Sequence, residues 1–144
     1  MVDLKRKERN LEENEKKVLL FACVHNSGRS VAARVIAEKL GGDKIIAISR
    51  GSEPSDSINK VVREELEKRG YNCSNEVPEL LDIDSIKTAD YVITMGCGEN
   101  CPYVPGKKYL DWIVEDPKDK TAVKVANIID DIESRVKSLL LDIG

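Results

Sequence analysis

Val18-Leu19-Leu20-Phe21-Ala22 runs unbroken into Cys23-Val24-His25-Asn26-Ser27-Gly28-Arg29-Ser30, and a helical pattern begins straight afterwards. Five consecutive apolar residues that end at a loop suit a strand buried on both faces of a parallel sheet. The loop joins this strand to a helix start, so its backbone N–H groups and the positive end of the helix serve one concavity. A tetrahedral oxyanion is the ligand such a concavity takes. The same field favours Cys23 as a thiolate, so the anion's host is also a nucleophile.

A cysteine five residues before an arginine recurs by chance in many proteins. Its position between strand and helix, with Ser30 directly after Arg29, makes the pattern specific. Arg29 can grip two oxyanion oxygens in a bidentate fork. Ser30 can hydrogen-bond the thiolate from the first helical turn, Gly28 lets the backbone approach the anion, and Asn26 can tie the curved loop through its amide. His25 could act as a base or metal ligand, but two residues along a tightly wound loop it is better placed to shape the rim. The substrate-binding set is therefore Cys23, Val24, His25, Asn26, Ser27, Gly28, Arg29 and Ser30, with no metal ligands expected.

The chain around this loop is one domain in size, 144 residues, with 41% hydrophobic and 34% charged residues. Its formal net charge of −3 gives no reason to expect nucleic acid or a membrane surface as partner, so an anion site must be built locally. No apolar run approaches the roughly 18 to 20 residues of a membrane span, and the charged N-terminus lacks the apolar core of a signal peptide. Four cysteines without a secretion signal read as reactive thiols in a cytoplasmic protein rather than as two structural disulfides.

Residues 1–16 alternate in charge and form a solubilising extension; residues 17–144 form the domain. After the loop, Val31, Val35 and Leu40 carry a helical spacing stopped by Gly41-Gly42. Ile45-Ile46-Ala47-Ile48 reads as a second buried strand. Asp56 or Ser57 can cap a helix through Arg69, with Gly70 closing it. Tyr91-Val92-Ile93-Thr94-Met95 is a third strand and Lys108-Tyr109-Leu110 a short fourth. Apolar residues from Val125 to Ile143 recur every three to four positions, a long last helix from about Thr121. Alternating strands and helices imply an α/β fold with a parallel sheet, whose ligands sit at the carboxyl ends of the strands.

Two further segments fall at that end. In Met95-Gly96-Cys97-Gly98-Glu99-Asn100-Cys101-Pro102, two cysteines four apart in a glycine-containing loop suit a redox pair. A zinc half-site would want a second Cys/His pair, which a chain with one histidine does not offer. Cys73 has no partner by sequence and reads as an ordinary buried thiol. In Asp111-Trp112-Ile113-Val114-Glu115-Asp116-Pro117, a carboxylic acid could overhang the Cys23 loop and protonate a departing oxygen. Pro117 restricts the residue before it, which favours Asp116 over Asp111 and Glu115.

Together, Cys-Val-His-Asn-Ser-Gly-Arg-Ser, Met-Gly-Cys-Gly-Glu-Asn-Cys-Pro and Asp-Trp followed by Glu-Asp-Pro resemble the thioredoxin-coupled arsenate reductases, built on the low-molecular-weight tyrosine phosphatase fold. The resemblance runs from about Lys17 to the C-terminus. It implies a single-domain, doubly wound three-layer αβα sandwich around a four-stranded parallel sheet. It also implies that Cys23 attacks arsenate held by Arg29 and the loop amides, while Asp116 protonates the departing oxygen. Cys97 then attacks Cys23, expelling arsenite; Cys101 attacks Cys97, and thioredoxin or a similar dithiol protein reduces the Cys97–Cys101 bond. No bound cofactor is implied, phosphate should compete with arsenate, and a monomer is expected. The chain departs from some relatives in the tight Cys97–Cys101 spacing and in Ile113, where glycine is common. It also carries Arg34 where an acidic residue helps hold a structural potassium ion.

Two other functions fit the same loop. A low-molecular-weight protein tyrosine phosphatase would use the cradle and the acid, but Lys118-Asp119 stands where such enzymes place tyrosines, and the paired cysteines would be idle. A thiol-based oxyanion or redox sensor would bind without turnover.

Overall fold

The computed structural model describes residues 16–96 and 101–143. Along them run β1 (Lys17–Cys23), α1 (Arg29–Gly41), a 3-10 turn (Gly42–Lys44), β2 (Ile45–Gly51), α2 (Lys60–Lys68), α3 (Ile83–Thr88), β3 (Tyr91–Thr94), β4 (Lys108–Asp111) and α4 (Ala122–Ile143). The charged extension read from the sequence lies outside the described residues apart from Lys16, and so does Cys97.

All strand pairs are parallel, in the order β2-β1-β3-β4. β1 is paired on both edges and covered on both faces, which is why its sequence is apolar without alternation. Leu19, Phe21 and Cys23 point into a core shared with α1, α2 and α4; Leu20 and Ala22 point the other way, into a core with Leu81, Ile86 and Val92. Helices therefore cover both faces of one sheet, giving the expected three-layer α/β sandwich. The chain leaves β1 for β2 on one side and returns to β3 on the other. The loops after β1 and β3 diverge at this reversal and leave a crevice at the carboxyl ends of the strands.

Three local expectations are corrected. β2 is an edge strand with alternating burial, Ile46 facing solvent, and not a strand buried on both faces. The cap of α2 is Asn59, three and two residues after Asp56 and Ser57; its side chain accepts from the N–H groups of Val61 and Val62. The short α3 has no counterpart in the sequence reading. It is nucleated by a capping box in which Asp82 accepts from the Ser85 N–H and the Ser85 hydroxyl accepts from the Asp82 N–H.

Candidate active site

Cys23 ends β1 and Ser30 opens α1, so the strand and helix deliver the two side chains to one point. Cys23 Sγ lies 2.9 Å from Ser30 Oγ, and both residues are buried. Asn26 is fully buried with φ 50, a left-handed conformation that Asn tolerates better than most residues. Its Nδ2 donates to Ser30 Oγ at 2.7 Å and its Oδ1 accepts from the Glu79 N–H at 2.8 Å. With Ser30 Oγ accepting from Asn26, the serine hydrogen is left to donate to a Cys23 thiolate.

The curl of the loop has an external template. The carbonyls of Cys23, Val24, His25 and Ser27 accept from the N–H groups of Ser52, Glu53, Ser55 and Asn59, at 2.7 to 3.1 Å. With the carbonyl edge committed to residues 52–59, the opposite edge of these peptides turns into the concavity, where it can hold an anion. His25 Nδ1 lies 3.1 Å from the Glu53 carbonyl oxygen, and the residue lines the cleft. The backbone of Gly51 packs so closely that a Cβ there would sit 2.7 Å from the Val24 carbonyl oxygen. None of these cross-loop partners carries a sequence signal, because each depends on tertiary contact.

Arg29 reaches across the crevice. Its side chain is 11% exposed, Nη1 donates to the Val114 carbonyl at 3.3 Å, and Nη2 lies 3.8 Å from Asp116 Oδ2. The segment bearing Asp116 is anchored by buried Trp112, Val114 and Pro117, with Trp112 tilted against Phe21 at 5.9 Å between centroids. Pro117 lies over the loop so closely that a Cβ on Gly28 would be 2.7 Å from its Cγ. Asp116 remains half-exposed, facing a cleft of about 510 Å³ lined by Cys23, Arg29 and the loop. The two rejected acids lie elsewhere: Asp111 accepts from the Thr94 hydroxyl, and Glu115 lies 4.0 Å from Lys120. Ile113 projects into solvent and does not line the cleft.

The structure adds Asn59, Lys60 and Lys118 to the cleft wall. Gly96, the residue before Cys97, has φ 90 and abuts Arg29; a Cβ there would lie 2.6 Å from Nη1. Cys101 packs at the margin of the core that holds Leu20, Ala22 and Val92 and is disulfide-bonded, whereas Cys73 is a buried free thiol. Burial, and then the nearby Glu76 charge, push the Cys73 thiol up, which keeps it protonated and unreactive. Arg34 forms a bidentate ion pair with Glu76 at 2.6 and 2.7 Å. Among the described residues there is no group of three or more His, Cys, Asp or Glu able to hold a metal ion, and no helix long and apolar enough to cross a membrane.

A strand, loop and helix thus bring Cys23, Arg29 and Ser30 together under an Asp-Pro segment. The sequence fits the low molecular weight phosphotyrosine protein phosphatase family over residues 18–144. The chain belongs to this family. Within the family its relatives include arsenate reductases. The solved structure of the Corynebacterium glutamicum thioredoxin-dependent arsenate reductase is 39% identical, with a TM-score of 0.80, covering 95% of this chain and 70% of that one. Arsenate reductase 2 of Staphylococcus haemolyticus is 30% identical over 86% of this chain and 96% of its own length. The glutaredoxin arsenate reductase of Synechocystis is 29% identical over 89% and 99% respectively.

Proposed function

We propose that this enzyme reduces arsenate to arsenite by a three-cysteine relay, with Cys23, Arg29, Ser30, Cys97, Cys101 and Asp116 as the reacting set. Cys23 thiolate, accepting from the Ser30 hydroxyl, attacks the arsenic of an arsenate held by Arg29 and the loop amides. One arsenate oxygen leaves with a proton from Asp116, forming a sulfur–arsenic(V) bond. Cys97 thiolate then attacks Cys23 Sγ. The sulfur–arsenic electron pair passes to arsenic, releasing arsenite and leaving a Cys23–Cys97 disulfide. Cys101 attacks Cys97, Cys23 departs as thiolate, and an external dithiol protein of the thioredoxin type reduces Cys97–Cys101.

Nothing inside the cradle separates reduction from phosphate-ester hydrolysis, since arsenate and phosphate share charge and shape. The observation that carries the reductase reading is Gly96 against the Arg29 guanidinium: the segment that opens Met-Gly-Cys-Gly-Glu-Asn-Cys-Pro starts at the arginine that grips the anion. The disulfide at Cys101 and the named activities of the relatives support it.

Multiple-turnover arsenate reduction by the native protein and its Cys23→Ser, Cys97→Ser and Cys101→Ser variants tests the relay, run in parallel with thioredoxin and with glutathione plus glutaredoxin. All three variants should lose turnover with thioredoxin. Full cycling by Cys97→Ser would rule the relay out. Cycling by Cys101→Ser with thioredoxin would remove Cys101 as the last thiol. Efficient hydrolysis of an aryl phosphate, undiminished in both resolving-cysteine variants, would establish the phosphatase instead.

A further inference from the structure

Ser30 and Arg34 stand one turn apart on α1, and Arg34 points away from the cleft. Its Nε and Nη2 donate to the two carboxylate oxygens of Glu76 at 2.6 and 2.7 Å, and its Nη1 donates to Glu38 at 2.7 Å. The Glu76 side chain is only 9% exposed, so solvent screens this fork weakly. Three residues on, Glu79 is fixed in three ways. Its N–H donates to Asn26 Oδ1 at 2.8 Å, its carbonyl accepts from the Gly51 N–H at 2.8 Å, and its carboxylate pairs with Arg50 at 3.0 Å. Between Glu76 and Glu79 lie Val77 and Pro78. Proline fixes its own φ and confines Val77 to extended backbone, so the short span transmits a displacement instead of absorbing it. From Asn26 the contacts run to Ser30 Oγ and then to Cys23 Sγ. They close a ring that leaves α1 at Arg34 and returns to it at Ser30.

We propose that Arg34 is a positioning residue for Cys23: its fork with Glu76 sets the placement of residues 76–79 and, through Asn26, aims the Ser30 hydroxyl at the Cys23 sulfur. This rests on the reading of Cys23 as the nucleophile. The ring touches the loop at Asn26 and Ser30 but includes neither Arg29 nor Asp116, so loosening it weakens the attack more than the grip on the anion. Its signature is a split, with kcat falling and KM held.

The test compares Arg34→Gln, Glu76→Gln, their double variant and the exchanged pair Arg34→Glu/Glu76→Arg. Three quantities are measured: arsenate kcat and KM, the rate of iodoacetamide alkylation at Cys23 read on its peptide by mass spectrometry, and protection of Cys23 by inorganic phosphate. Each single change should lower kcat and the alkylation rate about tenfold, with KM and phosphate protection moving less than about threefold. The double variant should lose no more than either single one, and the exchanged pair should recover part of the loss. Phosphate protection and KM worsening as much as kcat would reduce Arg34 to a generic structural role and overturn the proposal. Unchanged alkylation, or single losses that multiply, would do so as well. Should Arg34→Gln not fold, Arg34→Lys, which keeps the charge and loses the fork, is expected to fall midway; native rates in it would overturn the proposal. Alkylation needs no arsenate, so this arm decides the matter even if the reductase reading fails.

Discussion

Asn26 carries more of the site than its sequence neighbours. Its amide satisfies the Glu79 N–H and Ser30 at once, and its backbone occupies positive φ. Asn26→Ala leaves the part-buried Glu79 N–H without its partner and forces alanine into the left-handed region, so urea unfolding should show a loss of about 2 to 3 kcal/mol. Tyr71 offers a pH test. Its O–H donates to Glu133 at 2.7 Å, and burial followed by that carboxylate pushes the phenol up to about 12. The folded value lies above the ordinary one, so the neutral phenol's contribution is complete below about pH 10 and is lost as pH rises through about 12. Tyr71→Phe should cost about 1 to 2 kcal/mol at pH 8 and should lack the part of the native protein's stability decline that falls between pH 10 and 12. An equal slope in both proteins would count against the phenol as its source. At this scale the grouping of Cys23, Arg29 and Ser30 was readable because they share one short loop. The contributions of Glu76 and Glu79 were not, because their partners lie far away in the chain.

Among the elements, legibility followed length. α4 spans 22 residues and declares itself through repeated apolar positions. α3 has six residues and two buried positions, too few for a period to emerge, and only the Asp82/Ser85 pair marks it. Asp82 is held below its usual range by the Ser85 backbone N–H, then by the Ser85 side chain. The support it gives α3 is present above the ordinary carboxylate range and disappears as pH falls through the depressed value, so Asp82→Ala and the native protein should converge in stability in strong acid. For α2, apolar spacing located the helix but not its start, since Asp56 and Ser57 are equally good capping types. The deciding factor is that the Asn59 N–H is also bonded to the Ser27 carbonyl, which pins the turn. Asn59→Ala should cost about 1 kcal/mol in denaturant unfolding, and Asn59→Asp most of it should spare.

Taken whole, the fold was legible because one buried strand, a loop and a helix recur as βα units, and because a parallel sheet places its ligand sites at one end. What sequence could not supply was the closing of the cleft by Pro117 over Gly28 and by Gly96 against Arg29, contacts between segments far apart in the chain. The assembled site predicts ligand linkage. Inorganic phosphate at 100 times its dissociation constant should stabilise the native protein by about 2.7 kcal/mol, read as a rise in Tm of several degrees. Arg29→Ala should abolish the rise, and a full rise in that variant would place the anion elsewhere.

The position of β1 also bears on how the protein is made. The strand precedes both of its sheet partners in the chain, and roughly seventy residues must follow Cys23 before Thr94 of β3 exists to pair beside it. At synthesis rates of roughly 5 to 20 residues per second, the nascent chain holds an apolar strand and an unshielded thiol for several seconds. Cys73 emerges within that interval, before either sulfur has been buried. Of the four strands, β1 is thus made before the others yet waits for β3 before its second edge is covered, so the cradle that its end carries is completed late.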